Sequence, residues 1–228
     1  MEKQNSSKYY YENSTILINK FAIKDKELLQ KVERNITTLR IAEVESGKVD
    51  VFHHQLNANN YLSLHKYIFS DIYDFAGEVR DEAIYKDNAP YKTGVTPFCY
   101  PEFIYQNLDF LLKEMNSKIR GVKTREEFLQ FLASYYSELN IVHPFREGNG
   151  RTLRTYYKIF VEEANKILPF DDIEIDYSKW DDVYEVDPEK GEIKYKDKIL
   201  ETTILDDLNG IMQCFDKVIL YKEKRKIR

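Results

Sequence analysis

Cysteine is scarce in this chain. Its 228 residues hold only Cys99 and Cys214, far apart and without a CxxC, which excludes a disulfide framework and a zinc knuckle. No apolar run reaches the roughly eighteen residues a membrane-spanning helix needs, so no transmembrane segment is expected. The opening MEKQNSSKYYYEN lacks an apolar h-region, and the expectation is a chain without a signal peptide in a reducing cytoplasm. Positive charge is also short. The formal net charge is −5, which argues against a binder that holds DNA or RNA by neutralising phosphates. The basic end, Lys222 to Arg228, is the exception and reads as a solvated helix terminus favoured by the dipole. Internal repeats, low-complexity tracts and long linkers are lacking too, so one domain is expected over 1–228.

What is present favours a packed core. Hydrophobic residues make up 43% of the chain and aromatics 14%, with 18 tyrosines that read as core and rim. Residues 1–24 read as an extended arm docked on the body. Apolar positions then recur at helical spacing over Asp25–Glu45 (Leu28, Leu29, Val32, Ile36, Leu39, Ile41, Val44) and Asn57–Tyr73, with Asn57 or Asn59 as the cap. Residues 83–101, with three prolines and Gly94, read as strand, turn, strand. Glu102–Asn116, Thr124–Leu139 and Thr152–Ile167 are helical, and Thr124 stands three before Glu127 at capping-box spacing. Residues 169–198 are acidic and turn-rich, a loop or small hairpin, and a last helix is expected from Ile199 to Tyr221.

One stretch concentrates chemistry. Residues 143–154 read HPFREGNGRTLR, between two helical segments. Gly148, Asn149 and Gly150 stand where a loop becomes a helix, and glycine there permits positive φ and close backbone approach. Open N–H groups at a helix start attract phosphate. Arg151 falls in the first turn and Arg154 one turn on, so both guanidinium groups are expected to point the same way, as for a polyphosphate. Glu147 is the one carboxylate of the turn, suited to Mg²⁺ bridged to phosphate. His143 can take a proton near neutral pH. A His143–Glu147 metal pair is disfavoured, because the glycines end regular helix geometry. Phe145 reads as core. These residues point to nucleotidyl or phosphoryl transfer, and leave the choice between the two open.

The same stretch matches the fingerprint HPFx(D/E)GNGRxxR of the Fic family at every position. Residues 62–80, LSLHKYIFSDIYDFAGEVR, resemble that family's helix ending in DIYx(W/F)AGxxR. TPFCYPEFI, 96–104, resembles the end of its flap, and YYYENSTILINKFAIKD resembles the start of toxin-type members. The resemblance covers about residues 9–167. It implies an all-α fold, a helical bundle with a β-hairpin flap (83–98) over the active site, and transfer of AMP from ATP to a Tyr, Thr or Ser hydroxyl of a protein. It makes His143 the base, Glu147 the Mg²⁺ ligand, and Gly148, Asn149 and Gly150 the anion hole. Arg151 and Arg154 fall to the β- and γ-phosphates, and Phe145 to anchoring the loop. The flap around Thr96, Pro97 and Phe98 would dock the target by strand addition.

The related Doc toxins, which transfer phosphate from inverted ATP, depart from the GNGR segment; here Gly148 to Arg151 keep it. Many members also carry an inhibitory (S/T)xxxE(G/N) helix. Lys8 to Asn13, Ser134 to Leu139 and Thr202 to Asp207 each fail that pattern. The resemblance then implies a toxin restrained by a small separate antitoxin bearing such a helix. Type II topoisomerase subunits are candidate targets by analogy alone. Two alternatives remain. One is a nucleotide- and peptide-binding regulatory module. The other is the same fold with other chemistry: UMP, phosphate or phosphocholine transfer, or AMP removal. His53 and His54 read as exposed loop residues, His65 as packed and hydrogen-bonded, and Trp180 has no assigned role.

Overall fold

A computed structural model describes residues 7–51, 57–87, 95–170, 172–176, 184–186, 193–195 and 208–222. His53, His54 and Trp180, the flap tip at 88–94 and the start expected for the last helix lie outside them. Among the described residues five α-helices precede the C-terminal region: α1 (Lys26–Glu45), α2 (Ala58–Phe69), α3 (Pro101–Lys118), α4 (Arg125–Val142) and α5 (Asn149–Asn165). Between α2 and α3 the antiparallel strands β1 (Tyr85–Asp87) and β2 (Val95–Pro97) pair with Tyr85 opposite Pro97, which gives the expected hairpin. Among the described residues no helix is long and apolar enough to cross a membrane.

The helix ends follow local chemistry. Asp25 caps α1 by accepting from the Leu28 N–H at 2.8 Å, and Asn57, not Asn59, caps α2 by accepting from Asn60 N–H at 3.0 Å. Thr124 accepts from the Glu127 N–H at 3.2 Å, while the Glu127 carboxylate accepts from the Lys123 N–H at 2.7 Å, one residue outside a strict capping box. α2 stops at Phe69, short of Tyr73; the Ile72 and Tyr73 N–H groups both turn back to the Phe69 carbonyl, and the chain turns again at Gly77, φ +83°. α5 starts at Asn149, three residues before its expected start.

The core lies where α2, α4 and α5 meet, with Leu64, Ile68, Leu132, Tyr156, Tyr157 and Phe160 buried. Tyrosines fill it as the composition predicts: Tyr157 stacks on Phe215 at 5.6 Å and meets Tyr136 edge-on at 5.1 Å. On α1 the apolar positions divide. Leu29 and Val44 are buried, but Leu28 and Leu39 are 50% and 68% exposed.

The arm is doubled back where an extended one was expected. Tyr10 and Leu17 form an antiparallel bridge around Asn13, and the Lys20 N–H bonds the Ile72 carbonyl at 2.8 Å. The C-terminal region corrects the expected helix to Tyr221. Helix α6 (Leu208–Val218) ends earlier, and β6 (Ile219–Lys222) pairs antiparallel with β3 (Asp172–Ile175). The reason is the period-two burial of an Ile-Leu-Tyr run, with Ile219 buried and Leu220 exposed. Lys222 is thus a strand end, not a helix terminus. Between these strands β4 (Tyr184–Val186) and β5 (Ile193–Tyr195) form the small hairpin expected within 169–198.

Candidate active site

Helix α4 ends because of Pro144. The residue before a proline is disfavoured in the right-handed helical region, and His143 leaves it for φ 43°, ψ 61°. A non-glycine residue in the left-handed region is strained and persists only where its surroundings impose it. Three contacts impose it here. The Arg80 Nε donates to the His143 carbonyl at 2.8 Å, the Arg80 backbone N–H to the Pro144 carbonyl at 2.9 Å, and Phe98 stacks on the imidazole at 3.9 Å. His143 Nδ1 lies 3.1 Å from the Asn140 carbonyl. A carbonyl only accepts, so in the neutral ring Nδ1 carries the hydrogen and Nε2 the lone pair.

After His143 the loop is braced from within. Phe145 is fully buried, stacked on His65 at 3.6 Å and on Tyr61 at 5.9 Å. The Asn149 amide closes the loop, accepting from the Phe145 N–H at 2.9 Å and donating to the Phe145 carbonyl at 2.8 Å. Its side chain therefore serves the loop, and its backbone N–H is left to the start of α5. Gly148 holds φ +82° at that start, and a Cβ there would come within 2.3 Å of the Phe69 ring. The Thr152 N–H reaches back to the Gly148 carbonyl at 3.0 Å, so the N–H groups before it form the open end of α5.

His65 is the second brace. The Gly77 N–H donates to its Nδ1 at 2.8 Å, so Nε2 carries the hydrogen and donates to the Glu147 carbonyl at 2.9 Å. Burial first, and then the Arg151 charge, push its pKa down to about 3, against a raising contribution from the Glu147 carbonyl. It is a neutral packed residue, as its sequence context indicates.

Arg151 is held by partners on α1. Arg151 Nη2 lies 2.5 Å from Glu33 Oε1 on α1 and 3.4 Å from Glu147 Oε1, and Nη1 donates to Thr37 Oγ1 at 3.3 Å. Its guanidinium covers the Phe69 ring at 4.8 Å. Burial disfavours this cation, but the Glu33 and Glu147 charges outweigh it and hold its pKa above the usual value. Arg154 instead folds over the helix start, where a Cβ added to Gly150 would meet its Nη1 at 3.0 Å. One turn of helix places both residues on one side, but the partners on α1 decide where the first guanidinium goes.

Glu33 is the site residue that the sequence reading missed. Its side chain is 12% exposed, and it also accepts from the Tyr73 hydroxyl. A signal existed: Glu33 is a carboxylate four residues from both Leu29 and Thr37, two of the buried positions of α1. Arg80, quoted with the resemblance but given no role, is the other.

Glu147 fits a single-carboxylate Mg²⁺ site. Its side chain is 45% exposed, and the contacts from the Gly148 N–H and Arg151 both fall on Oε1. Among the described residues no cluster of three or more His, Cys, Asp or Glu forms a protein cage for a metal. Mg²⁺ held between one carboxylate and substrate phosphates needs none. On the flap, Thr96 pairs with Lys86 and Pro97 with Tyr85, while Phe98 is buried against His143. Thr96 and Pro97 thus lie on the β1–β2 hairpin and Phe98 at its base.

Residues 55–161 match the model of the Fic/DOC family. A "Probable protein adenylyltransferase Fic" from Escherichia coli K12 is 28% identical over 168 residues, covering 73% of this chain and 78% of the relative. "Protein adenylyltransferase VbhT" from Bartonella schoenbuchensis is 34% identical over 163 residues, 70% of this chain but 31% of VbhT. Among solved structures, the N-terminal Fic domain of a Bartonella quintana putative cell filamentation protein with bound ADP aligns at TM-score 0.72 and 21% identity, covering 94% of this chain and 95% of that one. BepC from Bartonella tribocorum with bound AMPPNP aligns at TM-score 0.69 and 19% identity, covering 94% and 97%. At these identities the structural likeness establishes the fold alone, and the family match places a Fic/DOC family domain at residues 55–161, over the loop and its supporting helices.

Proposed function

We propose that this protein is an adenylyltransferase that moves AMP from ATP to a hydroxyl of a target protein. The observation that carries this reading is the tautomer of His143. The Asn140 carbonyl fixes hydrogen on Nδ1 and makes Nε2 the basic nitrogen, on the residue that opens the loop leading to the start of α5. In the reaction Nε2 takes the proton of a Ser, Thr or Tyr hydroxyl. The hydroxyl oxygen bonds to the α-phosphorus, the bond from that phosphorus to the bridging oxygen breaks, and pyrophosphate leaves.

The chain's groups divide the remaining work. The N–H groups at the start of α5, from Asn149 and Gly150, bind phosphate oxygens, and Gly148 lets the backbone come close. Arg151 and Arg154 bind the β- and γ-phosphates. Glu147 holds Mg²⁺, which when bound neutralises phosphate charge and stabilises the leaving pyrophosphate. Phe145 and Asn149 keep the loop in shape. The flap at Thr96 and Pro97 aligns the target segment by main-chain bonds.

AMP transfer is favoured over phosphate transfer by the intact Gly148 to Arg151 segment and by relatives named adenylyltransferases. We further propose a toxin role. Lacking an inhibitory (S/T)xxxE(G/N) segment, the chain takes its restraint from a small antitoxin carrying that helix; type II topoisomerase subunits are the first targets to try. A cytoplasmic site of action fits this role. His143→Ala tests the mechanism: it is expected to keep ATP binding and lose transfer. Loss of both would make His143 a binding residue. Adding a small protein with the inhibitory helix is expected to suppress transfer by the wild type, and unchanged transfer would sink the antitoxin proposal.

A further inference from the structure

Arg80 is a cation with almost no access to water, 1% exposed. Among the described residues no carboxylate pairs with it; its bonds go to backbone carbonyls of three separate segments. Nε donates to the His143 carbonyl at 2.8 Å and Nη1 to the Glu82 carbonyl at 2.6 Å. Nη2 donates to the Cys99 carbonyl. Glu82 leads into β1 and Cys99 follows β2, so these are the two stalks of the flap. One planar guanidinium therefore joins both stalks to the carbonyl of the strained His143.

Other contacts close the same joint. The Arg80 N–H bonds the Pro144 carbonyl at 2.9 Å, and the Cys99 N–H bonds the Ile141 carbonyl at 3.0 Å. The Phe98 N–H bonds the Ile84 carbonyl at 3.3 Å, and the Phe98 ring lies on the imidazole at 3.9 Å. The guanidinium serves the three carbonyls from three nitrogens spread over a rigid plane. A lysine ammonium is a point charge on a flexible stem and cannot reproduce it.

The consequence concerns the acceptor. A segment added to the flap edge is registered to the flap, not to His143. Its hydroxyl meets Nε2 only if the distance from flap to histidine is fixed. We propose that Arg80 is a positioning residue for transfer, holding flap and His143 as one rigid unit so that a docked segment presents its hydroxyl to Nε2. This rests on the function proposed above, with His143 as base and the flap as docking edge.

The test uses the full chain and two acceptors. One is the strongest protein band that the wild type labels from α-labelled ATP in a bacterial lysate, purified. The other is water, read as AMP released from ATP, which needs no flap. For Arg80→Lys, transfer to the protein acceptor is expected to fall on the order of 100-fold. AMP release is expected to fall by a smaller factor, since it loses only the Arg80 brace on His143 and not the flap register, and ATP binding to stay within about twofold, since the Mg²⁺-ATP groups are not in the joint. Equal losses for both acceptors, or no loss, would overturn the proposal. If Arg80→Lys does not fold, hydrogen exchange of the wild type decides. The Arg80 Nε–H and the Cys99 amide are expected to exchange together, and separate exchange at different rates would refute a single joint. A wild type that labels no band sinks the functional reading and this proposal with it. A labelling wild type whose Arg80→Lys variant loses both activities alike sinks this proposal alone.

Discussion

Glu33 and Arg151 stand 118 residues apart in sequence and meet at 2.5 Å, Oε1 to Nη2, in the wall of the site. The contact ties α1 to the first turn of α5, and the Tyr73 hydroxyl donates to the same carboxylate. Burial first, and then the Glu33 charge, push the Tyr73 phenol above its usual range. Glu33→Ala leaves Arg151 without its main counter-charge and is expected to lower stability by about 1–3 kcal/mol. ATP phosphates supply a replacement, so the loss should shrink at saturating Mg²⁺-ATP. Thermal denaturation with and without nucleotide checks this. An identical Tm deficit in both conditions would mean that phosphate never reaches Arg151.

Gly148 combines φ +82° with a Phe69 ring where a Cβ would sit, 2.3 Å away. Gly148→Ala is expected to cost roughly 1–3 kcal/mol from the backbone alone, with the steric clash added. It should also misplace the helix-start N–H groups and weaken ATP binding. Urea unfolding and a nucleotide titration measure the two effects. Unchanged stability would show that the loop relaxes around the new methyl group.

The buried His65 makes stability depend on pH. Its folded pKa, about 3, lies below the unfolded value near 6.5, so between them the unfolded chain binds the extra proton. Stability from this group is present above pH 6.5 and lost as pH falls towards 3, by up to about 1.4 kcal/mol per pH unit. His65→Asn removes this dependence. The drop in unfolding free energy from pH 7 to pH 4.5 should be smaller in the variant than in the wild type. Equal drops would assign the acid sensitivity to other groups.

Much of the frame was legible from sequence. Helix positions followed the apolar recurrences, and Asn57 and Thr124 cap where side-chain chemistry places them. The reading failed where tertiary contacts decide. Period-two burial turns residues 219–222 into a strand, although they follow directly on a helix. In the site, spacing placed Arg151 and Arg154 on one side of α5 but said nothing of Glu33, whose carboxylate holds the first guanidinium. The side-chain amide of Asn149 braces the loop on Phe145, a contact that spacing does not reveal.

Glu147 carries the metal prediction. Glu147→Gln keeps the shape and removes the charge, and the Mg²⁺ concentration for half-maximal transfer is expected to rise at least about tenfold. A Mg²⁺ titration at saturating ATP reads this. The same midpoint in both proteins would place the metal on phosphate and water alone.

The most direct measurement follows the label. The wild type is incubated with Mg²⁺ and a bacterial lysate, once with α-labelled and once with γ-labelled ATP, beside His143→Ala. Adenylyl transfer predicts label on protein from the α position only, absent with His143→Ala. Label from the γ position alone would contradict the account and make this protein a kinase.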